Sequence, residues 1–269
     1  MSPGHGQHAH IYGGHDPGEC AYTLGALLNS MLGYPDQAIR QLDQGLALAQ
    51  DLAHPQTLAH ALWFAAEVHV ILREPMAVEE IIASLFPLVS KHGSAVGVAN
   101  ARMLHGWALV SQQQADKGLE ELRIGLEAWR ATGSKLFGPY RLGRAADAYR
   151  EAGRIDEALR LIVEATEVME QRGDRMFEPE LCRLHGELLV SVGDQDGAEG
   201  CFRRAIAVAR NQSSRLFELR SASSFSRLWR AQSQCKKARE LLAPVYDWFT
   251  EGFGTADLKE AKALLDELR

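Results

Sequence analysis

Apolar side chains recur at intervals of three and four along most of the chain; Ile155, Leu159, Ile162 and Val163, with Thr166 continuing the stripe, are one instance. That spacing follows one face of a helix, whereas a half-buried strand alternates with a period of two. Counting forward by forty shows that the helical pattern is itself repeated. The stretch "MLGYPDQAIRQL" at 31–42 returns as "REAGRIDEALRLI" from Arg150 and as "VSVGDQDGAEGCF" from Val190. At one register Leu42, Ile82, Leu122, Ile162, Phe202 and Leu242 are all apolar, which marks a buried seam. Four residues earlier stand Ala38, Val78, Gly118, Ala158, Ala198 and Ala238, mostly small. Midway along the preceding segment, Ala26, Ala66, Gly106, Ala146, Gly186 and Ser226 are small in every copy, so a partner helix is expected to approach closely there.

A second boundary repeats as "SKLF" at Ser134, "DRMF" at Asp174 and "SRLF" at Ser214, with Gly93, Gly133 and Gly173 just ahead of the equivalent places. Each forty-residue unit therefore reads as a helical hairpin. The pattern predicts first helices over 20–32, 56–72, 95–112, 137–152, 177–192 and 216–232, and second helices over 36–52, 76–91, 116–131, 156–171, 196–211 and 236–250. Asp36, Asp116, Asp156 and Asp196 stand where a side-chain oxygen would cap the unpaired N–H groups of a starting helix. Gly33, Gly153 and Gly193 stand three residues earlier, where a left-handed residue would end the helix before. Pro87 is expected to bend or shorten its helix. A last helix near 256–268 covers the open face of the final hairpin. The organisation expected is a flexible, His/Gly-rich segment at 1–17 followed by one repeat domain over 18–269.

Composition narrows the classes of function. With 46% hydrophobic and 24% charged residues, the 269-residue chain is not mainly disordered. A net charge of −6 lacks the attraction that phosphate backbones and anionic membranes require, so neither nucleic acid nor a membrane is expected as a partner. Cys20, Cys182, Cys201 and Cys235 form no CxxC pair, and reduced thiols in a cytoplasmic setting fit them best. No apolar run reaches the length of a membrane span.

A small residue midway down each first helix, then a small and a large apolar residue in each second helix, resembles the tetratricopeptide repeat, whose usual period is shorter, about 34 residues. The resemblance implies an all-α fold, a right-handed α-solenoid of about six such hairpins with a C-terminal capping helix. The stretches "HIYGGHDPGECA" and "LLAPVYDWFTEGFGTADLKEAKALLDEL", with "GCFRRAIAVAR" and "LRSASSFSRLWR", are similar to the C-terminal repeat region of large bacterial signalling proteins. Those proteins carry nucleotide-cyclase and ATPase domains upstream, which implies an ATPase or cyclase domain as a partner. This chain has no GxxxxGK[ST] loop, so no catalytic residue carries over.

Stacked hairpins of this kind line a concave surface with their first helices. By spacing, the lining comprises Cys20, Thr23 and Leu27; His60, Trp63 and Glu67; Asn100, Met103 and Trp107; Tyr140, Asp147 and Arg150; Glu180, Arg183 and Glu187; and Arg220, Ser223 and Arg227. Trp63, Trp107 and Tyr140 are aromatic anchor candidates, with Met103 between them; the arginines would select an acidic protein or peptide segment. Each tryptophan is equally well placed to fill the core between repeats. The alternative is a small-molecule sensor, since related long-period repeats occur in transcription regulators, with a pocket around Trp63, Met103 and Trp107. There is no GxSxG elbow and no convincing local His partner for a cysteine, so no enzyme and no cofactor is expected. His5, His8, His10 and His15 lie close in sequence without the helix-anchored spacing of a metal motif, and no metal site is expected.

Overall fold

The computed structural model describes residues 14–92 and 94–269, leaving His5, His8, His10, Gly93 and most of the His/Gly-rich segment outside the described residues. Among these, thirteen α-helices and no strand are found: α1 Pro17–Leu32, α2 Pro35–Leu52, α3 Pro55–Ile71, α4 Pro75–Lys91, α5 Ala95–Ser111, α6 Ala115–Ala131, α7 Gly138–Glu151, α8 Ile155–Arg172, α9 Glu178–Ser191, α10 Gln195–Asn211, α11 Arg215–Ala231, α12 Cys235–Tyr246 and α13 Ala256–Glu267. The fold is an all-α array of helical hairpins. Most boundaries fall within a residue or two of the apolar pattern. Two shift further for local reasons. α1 starts at Pro17, because Asp16 caps it, its Oδ1 accepting from the N–H of Gly18 at 2.8 Å and of Glu19 at 2.9 Å. α12 stops at Tyr246, two residues after Pro244, which removes a backbone donor.

One expectation about the ends needs correction, and Pro87 does not shorten its helix: it lies inside α4, which runs on to Lys91 and packs against both α3 and α5. Asp36, Asp116, Asp156 and Asp196 are not caps: α2, α6, α8 and α10 start one residue before each of them, which places the carboxylates inside the first turn. From there they act through the positive end of the helix dipole. The N-cap positions lie two residues before these aspartates, and of them Asp194 caps with its side chain, accepting from the N–H of Gly197 at 2.9 Å; at the other boundary Ser94 accepts from that of Gly97 at 3.1 Å.

The forty-residue period is written into the backbone as well. Gly33, Arg73, Gln113, Gly153, Gly193 and Ser233, forty apart, all take positive φ, from 61° to 97°. A second series, Ala53, Gly133, Gly173 and Ser213, does the same at the other boundary. The turn geometry is thus common to the described joints of these two series, and glycine fills only some of the places that demand it. The cost of a left-handed L-residue, about 1–2 kcal/mol, is carried by packing on either side.

The predicted seam is buried: Leu42, Leu122, Ile162, Phe202 and Leu242 are at most 1% exposed, and Ile82 6%. The small positions are where the helices of a hairpin touch. A methyl group on Gly106 would stand 2.7 Å from the carbonyl oxygen of Gly118, and one on Gly118 would stand 2.6 Å from that of Gly106. At the equivalent place in α11, the Ser226 hydroxyl donates to the carbonyl of Ala238 at 3.0 Å. The "LF" and "MF" boundary motifs supply an aromatic ladder, with Phe177 6.4 Å from Phe137 and 6.1 Å from Phe217, ring centre to ring centre. The glutamates that follow two of these phenylalanines are buried, each held by two arginines: Glu178 by Arg175 and Arg204, and Glu218 by Arg210 and Arg215.

By packing, the chain divides into two compact units, one carrying α1 to α6 through Ser134, the other α7 to α13 from Lys135 together with residues 31–33. In the first, α3 packs on α4 and α5, and α5 on α6. In the second, α9 lies against both α7 and α11, and α13 against α11 and α12, so the last helix does cover the final hairpin. No described helix is long and apolar enough to cross a membrane.

Candidate functional site

The first helices of the second unit carry a continuous network of ion pairs. Arg183, near the middle of α9 and 8% exposed, is gripped on its own helix by Glu180 at 2.7 Å and Glu187 at 2.5 Å. Glu187 reaches Arg150 of α7 at 3.4 Å and accepts from the Ser224 hydroxyl of α11 at 2.7 Å. Arg150 is bound in turn by Asp147 at 2.7 Å. Glu180 also meets Arg220 of α11 at 3.4 Å, and Arg220 pairs with Asp257 of α13 at 2.8 Å. Arg227, more exposed, pairs with Glu260 at 3.1 Å. Sequence positions near forty apart meet because neighbouring first helices run side by side in register.

The electrostatics follow from this pairing. Burial opposes the charge of Glu187, but Arg183 and then Arg150 outweigh it and pull the carboxyl down to about 2. Glu180 is likewise lowered against its own burial, by Arg183 and Arg220. Burial disfavours the charged Arg183, and Glu180 with Glu187 more than offset it, holding the guanidinium well above its ordinary value. Each buried charge is therefore met by more than one opposite charge, the condition under which buried ions are tolerated. The arginines expected to read an acidic partner are engaged by carboxylates of the same chain.

The aromatic candidates divide. Met103 is fully buried and sits over Gly125 of α6, and Trp107 is 6% exposed, so both are taken up in the core. Tyr140 is 8% exposed and stacks on Phe177 at 3.9 Å. These three are correspondingly poor anchors for an incoming chain. Trp63 on α3 is partly exposed; its indole N–H donates to Glu67 at 2.9 Å, a residue only 4% exposed.

At the start of the first unit the structure collects residues that the sequence places apart. The Nδ1 of His60 lies 2.9 Å from Oε2 of the fully buried Glu19. The His15 ring stacks on that of His60 at 3.8 Å with 7° between the planes. The ligating atoms of His15, Cys20 and His60 all lie within 4.8 Å of one another. Burial alone would lower the His60 pKa, but hydrogen bonds with Cys20 and Glu19 raise it to about 9. His15 is pushed down to about 4, first by burial and then by the charge of His60.

No protein-family model matches the chain. Over 219 residues it is 24% identical to an uncharacterized protein of Rhizobium meliloti (strain 1021); the match takes in 81% of this chain and 21% of that protein. The chain thus spans about a fifth of its relative's length. Among solved structures it is similar to a Podosopora anserina protein of nearly identical, kinesin light chain TPR-like repeats, with a TM-score of 0.49 and 16% identity over 80% of this chain and 98% of that one.

The His15, Cys20 and His60 grouping was within reach of the sequence in part. Cys20 and His60 are forty apart, so they occupy one register on adjacent first helices. His15 precedes α1, and only the turn at Asp16 brings it beside α3. Arg141, fully buried in α7, and Arg144, whose guanidinium lies 5.3 Å from the Tyr140 ring centre, carry no sequence signal that separates them from surface arginines.

Proposed function

We propose that the chain is a non-catalytic helical-repeat scaffold that binds a protein or peptide segment on its first-helix faces. The observation that carries this reading is the ordered polar face of α7, α9 and α11, where Asp147, Glu187 and Arg227 recur at one register and are held in place by their own ion pairs. A side chain already fixed loses little freedom when a partner arrives, so such a face is preorganised for recognition. Because it carries charges of both signs, it suits a polar segment of mixed charge better than a purely acidic one. Burial pushes the Cys182 thiol up to about 12 and raises that of Cys201, which argues against either as a nucleophile.

The finer reading is a regulatory or sensory module serving an ATPase or nucleotide-cyclase domain. It rests on the resemblance of the N- and C-terminal stretches and is compatible with the much greater length of the Rhizobium meliloti relative. Selection from a displayed peptide library tests the scaffold reading, with Arg227→Glu and Trp63→Ala as reporters for the two units. Recovery of one sequence family by the wild-type chain, lost in a variant of unchanged helicity, supports the face that variant alters. Equal recovery by both variants removes these faces from the proposal.

A further inference from the structure

We propose that His15, Cys20 and His60 form a three-ligand site for a borderline-soft divalent metal ion, Zn²⁺ first among them, with Glu19 orienting His60. The donor set is two imidazoles and a thiol, the mixture that Zn²⁺ prefers and that Mg²⁺ and Ca²⁺ do not. With the three donor atoms within 4.8 Å of one another, a point exists within about 2.8 Å of all three. Metal bonds to these atoms are about 2.0–2.3 Å and lie in the imidazole planes, so the site closes by a contraction of roughly half an ångström together with rotation of the His15 ring out of its stack on His60. All three residues are half-buried, which leaves the ion a route from solvent.

The surroundings supply what a metal site needs beyond its ligands. Glu19 accepts from Nδ1 of His60, and that tautomer leaves the Nε2 lone pair for the metal, the carboxylate–histidine arrangement that orients ligands and raises their basicity. Glu19 is held in turn by the Thr23 hydroxyl at 2.9 Å. His15 is positioned from both sides of its neighbour Asp16, whose carboxylate caps α1 and whose N–H donates to the Thr57 hydroxyl of α3 at 3.0 Å. Cys20 stands in the first turns of α1, one residue after Glu19. One thiolate and the Glu19 carboxylate together balance the two charges of the ion. Three protein ligands leave one position for water or another donor.

The experiment is titration of the full metal-free chain with Co²⁺, followed by displacement with Zn²⁺. One equivalent of Co²⁺ is expected to raise a thiolate-to-metal charge-transfer band that Zn²⁺ abolishes. The band is expected to survive in Cys182→Ser/Cys201→Ser/Cys235→Ser, where Cys20 is the one thiol left, and in His5→Ala/His8→Ala/His10→Ala. It is expected to vanish in Cys20→Ser, while Glu19→Gln weakens Zn²⁺ about 10–100-fold. Absence of a stoichiometric thiolate band in the wild-type chain overturns the proposal. So does a band retained in Cys20→Ser, or one lost with the three outer histidines.

Discussion

Gly106→Ala places one methyl group where two helix backbones meet. The new Cβ would lie 2.7 Å from the Gly118 carbonyl oxygen and 2.8 Å from the Leu122 nitrogen. Ordinary contact begins near 3.4 Å, and neither neighbour is a side chain that can swing aside, so α5 and α6 must separate by more than half an ångström. That separation loosens the packing of Met103, Leu104, Leu122 and Leu126, all of them buried. Overpacking of this kind costs about 1–3 kcal/mol, while replacing a mid-helix glycine returns about 0.5–1 kcal/mol of backbone entropy. The expected net loss is about 1–2 kcal/mol, or roughly 2–8 °C in melting temperature for a domain of this size. Gly200→Ala in α10 is the control, because nothing lies within 4 Å of its new methyl group and only the entropic gain remains. Thermal denaturation followed by circular dichroism reads both. Gly118→Ala should cost a similar amount, and the double variant less than the sum, since helices already separated admit the second methyl group more easily. A Gly106→Ala protein as stable as the wild type would refute the close-approach argument.

Other outcomes follow from the joints, the ion pairs and the aromatic ladder. Arg73→Gly, Gln113→Gly and Ser233→Gly should each stabilise by about 0.5–1 kcal/mol in urea denaturation, since glycine enters the left-handed region without strain; Gly153→Ala, with open space around it, should cost about 1 kcal/mol through the backbone alone. Because the folded Glu187 titrates near 2, below its unfolded value, its contribution to stability is present above that unfolded value and is lost as pH falls toward 2. Glu187→Gln should therefore flatten the acid limb of a stability–pH curve and at neutral pH cost on the order of 2–3 kcal/mol, by leaving Arg150 and Arg183 short of a carboxylate. Phe177→Ala removes the middle rung of the ladder and should cost about 3–5 kcal/mol by calorimetry. Cys182 should be the slowest thiol to react with a disulfide reagent at pH 8, its pKa being near 12.

The repeat itself was legible because its cause is local and periodic. A buried seam needs an apolar residue every forty positions, and a close crossing needs a small one, so Leu42 to Leu242 and Ala26 to Ser226 announce the hairpins without coordinates. The caps were misplaced by two residues because Asp36, Asp116 and Asp156 favour a helix start both as a cap and inside the first turn. The left-handed joints at Arg73, Gln113 and Ser233 were invisible, since no side chain there advertises positive φ; the rigid helices on either side impose it.

Amino-acid order alone settles which residues face inward, where the chain turns and how long each hairpin is, because each of these depends on neighbours a few positions away. Whether a charged side chain is free to meet a partner depends on what the next helix brings to it. Arg220 of α11 reads as an exposed recognition residue until α9 and α13 pack against it and supply Glu180 and Asp257. His15, Cys20 and His60 converge only because Asp16 turns the chain onto α3. Pairing across helices is a matter of a few ångströms in space, and no spacing along the chain encodes a distance that fine.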